Sequence, residues 1–276
     1  MNSAVPKHGF ETMVKISAGE FIFGHKFKIE FVDSLPESST HLEEYWIDRT
    51  PVTFQQYQEF VKDTEYLPPI RDRRRAWERP YYKYLWRQNS TYNSLFMDMP
   101  MIFLTWFDAL AYSEWAGKCL PTELEWEKAA RGQDGRTYPW GYDQECEKYC
   151  NCTSQCEPNV HPDLTSVFAY PQGISPYGCL DMLGNCNEWC WDYFREPVMT
   201  ISDEFRFDFK RIPSKEISHD GSSDQTPYRT TRGSGRTAFS KPIFSRNPTV
   251  PTTCSPYIGF RCVWHPTTPL KSRWNR

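Results

Sequence analysis

The chain contains no run of about eighteen apolar residues, the length a helix needs to cross a bilayer, so no spanning helix is expected. Its first residues, Met1-Asn2-Ser3-Ala4-Val5-Pro6-Lys7-His8, have no apolar centre of the kind an export signal carries, and a cytoplasmic location is the default expectation. A large excess of charge of one sign is also lacking. A net charge of −3 gives no overall basic field to draw the protein to a membrane or a nucleic acid. There is no internal repeat or low-complexity tract, which argues against a solenoid or a linker-rich chain. No cysteine occurs between Cys190 and Cys254, so that long stretch can offer no thiolate to a soft metal.

What is present is aromatic. Rings make up 16% of the 276 residues, proline occurs 22 times, and the mean hydropathy is −0.69. That mixture suits a loop-rich fold whose core is built from large rings, since each buries much area. Residues 1–12 are polar and expected to be loose. Met13–Ile16 and Glu20–Phe23 read as a hairpin pair around Ala18-Gly19, and Tyr45–Asp48 as a further strand. Thr53 with Gln56 forms a capping-box pattern, followed by Tyr57, Phe60 and Val61 on one helical face, with the end expected before Pro68. Residues 62–100 carry Arg71, Arg73, Arg74 and Arg75 among Trp77, Tyr81, Tyr82, Tyr84 and Trp86. Such interleaving could hold an anion or RNA bases, but a solvated insertion with snorkelling arginines is the better reading, and nucleic acid is not an expected partner.

Thr105 can cap a helix running to about Ala116, with Gly117 as its stop. Thr122 and Glu125 form a second capping box, opening a helix that Gly132 can end. Glu123, Glu125 and Glu127 invite an acid–base reading, yet acidic side chains in a first helical turn are explained by the helix dipole alone. Residues 264–276 read as a polar tail.

Two regions could hold metal. In Gly178-Cys179-Leu180-Asp181-Met182-Leu183-Gly184-Asn185-Cys186-Asn187-Glu188-Trp189, a Gly-Asn turn lets Asp181 and Glu188 fold toward each other. With the carbonyls of Gly184 and Cys186 they could form an oxygen cage for Ca2+; the alternative is a solvated acidic turn. Cys146, Cys150, Cys152 and Cys156 form C-x3-C-x-C-x3-C. This set could bind zinc, though it lacks paired C-x2-C knuckles, and reduced thiols are the simpler expectation.

A wider pattern gives these regions context. Met13–Gly24, Val52-Thr53-Phe54-Gln55-Gln56-Tyr57, Gly117-Lys118-Cys119-Leu120-Pro121-Thr122-Glu123-Leu124-Glu125-Trp126-Glu127, Tyr138-Pro139-Trp140-Gly141, the Gly178–Trp189 turn and Gly259-Phe260-Arg261-Cys262-Val263 stand in one order. The set resembles the formylglycine-generating enzyme, or sulfatase-modifying factor, family. The likeness runs from about Met13 to Val263, and it implies one irregular, loop-rich α+β domain related to the C-type lectin fold over residues 13–263. Residues 62–100 are then a divergent insertion. It also implies calcium at Asp181, Gly184, Cys186 and Glu188. A second calcium loop would start at Asn151-Cys152, with Asn159 and Asp163 both open as later ligands. The family disulfide between the Thr105–Ala116 helix and Cys262 is not expected, because its partner position is Ser113.

Aerobic members bind Cu(I) through two cysteines just after an R-G-G-S motif and oxidise a substrate cysteine. The matching segment here begins Arg232-Gly233-Ser234-Gly235, and the cysteine positions fall on Ala238 and Ile243. Copper and the reaction it supports are therefore not expected. Nor do the histidines, His8, His25, His41, His161, His219 and His265, show the H-x3-H-x-E arrangement of the iron-dependent branch. The resemblance leaves a ligand- or protein-binding module, or a non-copper oxidoreductase of the siderophore-maturation or iron-dependent kind; a working formylglycine-generating oxidase ranks third. The ligand or partner protein is unknown. Trp189, Arg232, Arg236, Phe239, Phe244 and Arg246 are candidates to line a cleft, with Lys241, Asn247 and Tyr257 nearby. For Phe239 and Phe244, ordinary core positions remain an equal alternative.

Overall fold

The computed structural model describes residues 6–27, 32–66, 96–142, 146–152, 164–194, 227–235 and 241–266. The strands are β1 (Met13–Ile16), β2 (Gly19–Phe23), β3 (Ser38–Leu42), β4 (Tyr45–Asp48), β5 (Asn187–Tyr193), β6 (Arg229–Arg232), β7 (Arg246–Thr249), β8 (Ile258–Gly259) and β9 (Val263–Trp264). The α-helices are α1 (Phe54–Thr64), α2 (Trp106–Trp115), α3 (Glu123–Arg131) and the single turn α4 (Cys146–Tyr149). The architecture is the irregular α+β type that the motifs imply. None of these helices is long and apolar enough to cross a membrane.

Three helices begin as their sequences direct. Thr53, Thr105 and Thr122 each close a capping box, with Gln56, Asp108 and Glu125 respectively. The helix α1 stops at Glu65, which turns left-handed, and α3 stops at Gly132, whose φ of 75° disfavours any side chain.

Strand pairing differs from the expected hairpin. The strand β1 pairs with β4, and β2 pairs with β3, so the first two strands belong to separate sheets. The β1–β4 pairing buries Met13 and Ile16 along with Tyr45 and Ile47. A direct β1–β2 hairpin would leave that apolar face of β4 uncovered. On its other edge β4 pairs with β9, making the sheet order β1-β4-β9. The largest sheet runs β7-β6-β5-β8; its β5–β8 pair is parallel and its other pairs are antiparallel.

The first and last described residues are held by side-chain and backbone contacts. Lys7 N donates to Ala116 O at 3.1 Å, His8 stacks on Trp115 at 3.9 Å, and Phe10 packs on Trp46 and Trp264. The expected loose segment 1–12 is thus anchored from residue 6 onward, because rings in a polar stretch still seek apolar cover. At the far end Trp264 completes β9 and His265 lies 3.0 Å from Glu125. Most of the 62–100 insertion lies outside the described residues.

Rings dominate two large apolar clusters. One gathers Ile16, Tyr45, Trp126, Tyr138, Met182 and Val263; the other gathers Phe54, Tyr57, Trp106, Trp189, Trp191 and Phe260. At Gly173 the backbone passes so close to α4 that a Cβ would overlap the Tyr149 carbonyl oxygen. Replacing Gly173 by Ala should destabilise the protein by about 2–4 kcal/mol, through overpacking that backbone cannot relieve. Gly141→Ala, where nothing lies within 4 Å of the new carbon, is the control for a purely conformational cost. Urea denaturation of both variants measures the difference.

Candidate functional site

The floor of the region after Arg232 is α3, all nine of whose residues are buried. Its carboxylates hold three separate strands. Glu123 accepts from Arg246 of β7 (Nε at 2.6 Å, Nη2 at 2.9 Å) and from Thr230 Oγ1 of β6 at 2.7 Å. Glu127 accepts from Gly24 N just past β2 at 2.8 Å, from Arg131 Nη1 at 2.7 Å and from Arg232 Nη2 of β6. Burial works against ionising Glu123, but Arg246, Arg232 and Thr230 outweigh it and its pKa is lowered. These glutamates serve the fold, in keeping with the structural reading of their positions; none is free to act as a general base.

The same lattice changes the picture of the expected cleft. Trp189, Arg232, Phe244 and Arg246 are all buried. Trp189 donates its indole N–H to Leu104 O, Phe244 stacks on His25 with centroids 4.4 Å apart, and the Arg131 guanidinium lies over the Phe244 ring, 5.3 Å from its centroid. These four therefore do not line an open cleft: the arginines neutralise α3 and the rings fill the core. For Phe244 the core alternative holds. Arg236 and Phe239 lie outside the described residues. Of the nearby candidates, Lys241, Asn247 and Tyr257 are half-buried and reach solvent. Ile243, at one of the two family cysteine positions, is fully buried in the first apolar cluster and donates its N–H to Thr137 O at 3.0 Å. Ala238, the other position, lies outside the described residues.

The acidic turn is organised around Asn185, which is completely buried and sits at a φ of 55°. Its Nδ2 donates to Asp181 Oδ2 at 2.8 Å and to Thr165 O at 3.0 Å. Its Oδ1 accepts from Asn151 Nδ2 and from Thr165 N, both at 3.2 Å, and its backbone N–H donates to Asn151 O at 3.0 Å. Asn tolerates this left-handed conformation where a branched residue would not. Gly184 precedes it at a φ of 83°, where a Cβ would lie 2.8 Å from Asn151 O.

Glu188 is also fully buried, and its carboxylate is already taken. Arg261 donates Nε to Oε2 at 2.7 Å and Nη2 to Oε1 at 2.8 Å, while Trp126 Nε1 donates to Oε2 at 2.8 Å. The remaining Arg261 donors reach the carbonyls of Leu180, Asp181, Asp48 and Arg49. Of the expected calcium ligands Arg261 engages one, the Glu188 carboxylate; the carbonyls that it reaches are not members of that set. Asp181, the other carboxyl, has its pKa pushed up to about 7 by burial, against the opposing pull of Asn185 and Arg261. For calcium to take up Glu188, that carboxylate would have to give up its bonds from Arg261 and Trp126, at the cost of an unpaired buried cation. Among the described residues no group of three His, Cys, Asp or Glu side chains is arranged to hold a metal. The second expected loop starts at Asn151, whose carbonyl and amide both serve Asn185; Asn159 and Asp163 lie outside the described residues.

Nine cysteines are described, and none is bridged. Cys262 is among them, and Ser113 Oγ donates to Leu110 O at 2.8 Å, as expected for a chain without the family disulfide. Cys146, Cys150 and Cys152 come together in the first apolar cluster, whereas Cys156 lies outside the described residues.

Short curled sheets around one buried helix define a fold already seen in solved proteins. PvdO from Pseudomonas aeruginosa superposes with a TM-score of 0.63 at 21% identity, covering 91% of this chain and 93% of that one. Residues 2–266 match the sulfatase-modifying factor enzyme 1-like domain, and the chain belongs to that family. It is 28% identical over 283 residues to the inactive C-alpha-formylglycine-generating enzyme 2 of Mus musculus, covering 91% of this chain and 85% of that protein. It is also 30% identical over 261 residues to the serine/threonine-protein kinase pkn1 of Chlamydia pneumoniae; the match takes in 91% of this chain but only 37% of the kinase's length.

Two outcomes follow from this geometry. Adding millimolar calcium, or removing it with a chelator, should leave the thermal melting point unchanged; a rise of several degrees on adding calcium would mean that Arg261 gives up Glu188. The raised Asp181 pKa makes the folded state hold a proton that the unfolded chain releases near pH 4. Stability from this group is therefore fully present below about pH 4 and lost as the pH climbs to about 7. Asp181→Asn should remove that part of the slope, so denaturant melts at pH 5 and pH 7.5 should show the wild type losing stability relative to the variant.

Proposed function

We propose that this chain is a binding module for a protein or small-molecule ligand, built on a sulfatase-modifying-factor scaffold that lacks the copper reaction. One observation carries the reading. Of the two positions at which the family places its copper thiolates, Ile243 is sealed in the apolar core and Ala238 brings no sulfur. No cysteine between Cys190 and Cys254 can take their place through a shift in register. Cu(I) needs soft thiolate ligands, and an aliphatic side chain offers no donor atom. The resemblance to a mouse protein named as an inactive formylglycine-generating enzyme supports the same reading.

The buried ion-pair lattice supports a binding role as well. Arg232 and Arg246 are paired to α3, and Lys241, Asn247 and Tyr257 are half-buried groups in the segments that follow. A preorganised surface binds with less ordering cost than a mobile one. The unbridged cysteines support placement in a reducing compartment such as the cytoplasm.

Purified protein should carry no stoichiometric copper or iron by elemental mass spectrometry. With Cu(I) and O2, it should not convert the cysteine of a sulfatase-derived peptide to formylglycine. Turnover in that assay, or one bound copper or iron per chain, overturns the reading.

A further inference from the structure

Arg246 and Arg261 each turn the same edge of the guanidinium, the one carrying Nε and Nη2, onto a glutamate. For Arg246 on Glu123 the distances are 2.6 and 2.9 Å, and for Arg261 on Glu188 they are 2.7 and 2.8 Å. Two parallel N–H donors that match two carboxylate oxygens make this the strong form of the pair. Arg229 of β6 is also fully buried, yet its Nε and Nη2 have no hydrogen-bond partner. Its third nitrogen, Nη1, donates to Trp191 O. Arg232 leaves Nε open too, but Glu127 and Glu123 neutralise it. Arg229 is thus a buried cation whose fork is empty, a costly state that an anion would relieve.

Rings hold this guanidinium in place. Its carbon lies 3.9 Å from the Trp106 ring centroid and 3.7 Å from that of Tyr193, with Trp191 at 5.7 Å. Tyr193, Arg229 and Thr249 stand directly opposite one another on β5, β6 and β7, so their side chains share one face of the sheet. Thr231 and Asn247 form the next pair on that face, and the Thr231 and Thr249 hydroxyls are 3.1 Å apart. The other face belongs to α3: Thr230 donates to Glu123, and Asp192 accepts from Glu123 N at 2.6 Å. The Asp192 carboxylate therefore attracts Arg229 from across the strand without filling its fork. Trp106 and Trp191 are sealed, whereas Tyr193, Asn247 and Thr249 are half-buried, which puts solvent on their side. Burial lowers the Arg229 pKa to about 10, against the pull of Tyr193 and Asp192, so the group stays charged at neutral pH.

We propose that the Nε and Nη2 edge of Arg229 is the docking point for a small monocarboxylic acid with an aromatic body, which enters from the Tyr193 side of the sheet. The charge balance selects a monoanion. One guanidinium neutralises one carboxylate, whereas a dianionic phosphate would keep an uncompensated charge in an apolar site. The geometry selects a planar pair of oxygens, as at Glu123 and Glu188. The walls select the body: Trp106 and Tyr193 flank the fork, and the half-buried Phe107 meets Trp106 edge-on at 5.4 Å, continuing the ring surface outward. Asn247, on the same face, offers an amide at the margin. This names a ligand class for the binding reading and rests on it.

The test is calorimetric titration of the full chain with benzoate, benzamide and phenylphosphonate at pH 7.5. Benzoate should bind once per chain, and at least tenfold more tightly than either the neutral amide or the dianion. Arg229→Lys keeps the charge but loses the planar fork, and should weaken benzoate at least tenfold while its melting curve reports that it folds. Equal affinity for benzoate and benzamide, no benzoate binding, or an unchanged affinity in Arg229→Lys overturns the proposal. Should that variant fail to fold, the wild-type protein still decides. Benzoate must shift the indole N–H signals of Trp106 and Trp191 in nuclear magnetic resonance spectra, and shifts confined to Trp46 and Trp264 on the other sheet place the ligand elsewhere and refute the site. Failure of these tests removes the ligand class and not the binding reading, which falls only to turnover of the sulfatase peptide or to bound copper or iron.

Discussion

Glu188 and Arg261 meet as a fully buried ion pair. The carboxylate belongs to β5 and the guanidinium to the link between β8 and β9, yet the pair also fixes α3 through Trp126 and the end of β4 through the carbonyls of Asp48 and Arg49. Taking both charges out of water costs several kcal/mol per ion, and only full hydrogen bonding offsets it. Here both carboxylate oxygens and all three guanidinium nitrogens have partners. Losing either partner would leave a buried charge alone, a cost of about 3–5 kcal/mol. The arrangement of the acidic turn, including its lack of a free carboxylate pair, follows from this ion pair.

A second lattice, around α3, works in the same way at the other end of that helix. Glu123 and Glu127 hold Arg246 and Arg232, and through them β6, β7 and the segment after β2. Loop-rich folds have few long ladders of backbone hydrogen bonds to set the relation of one strand to another. Charge-assisted bonds with fixed geometry supply that information instead. The cost to function is equally plain: residues that look reactive in the sequence are committed to architecture.

How much of this could be read from the sequence follows the range of each interaction. Two capping boxes were legible because cap and partner lie three residues apart, Thr53 with Gln56 and Thr122 with Glu125; at Thr105 the cap was legible, and the reciprocal bond from Asp108 emerged with the structure. The positions of β1, β2 and β4 were legible as well, since alternation and turn residues are local; β3 and β5 to β9, short and set among turns, were not. Pairing was not. Nothing near β1 indicates that β4 covers it in place of β2, for that choice depends on burying Tyr45 and Ile47. The role of Arg261 was hidden for the same reason. Its partner Glu188 is 73 residues away, and a lone arginine in Gly-Phe-Arg carries no sign of the carboxylate it neutralises. The lack of cysteine between Cys190 and Cys254, by contrast, is visible directly, while the burial of Trp189, Arg232, Phe244 and Arg246 emerged only with the packing.

The meeting of Phe10 with Trp264, together with the flanking of β4 by β1 on one side and β9 on the other, has a consequence for architecture on a larger scale. Entry and exit of the described fold sit side by side on one sheet. A unit with that geometry can be spliced into the loop of a host polypeptide, or strung beside other modules, without stretching either neighbour. Evolution can thus move it between contexts as a self-closing cassette.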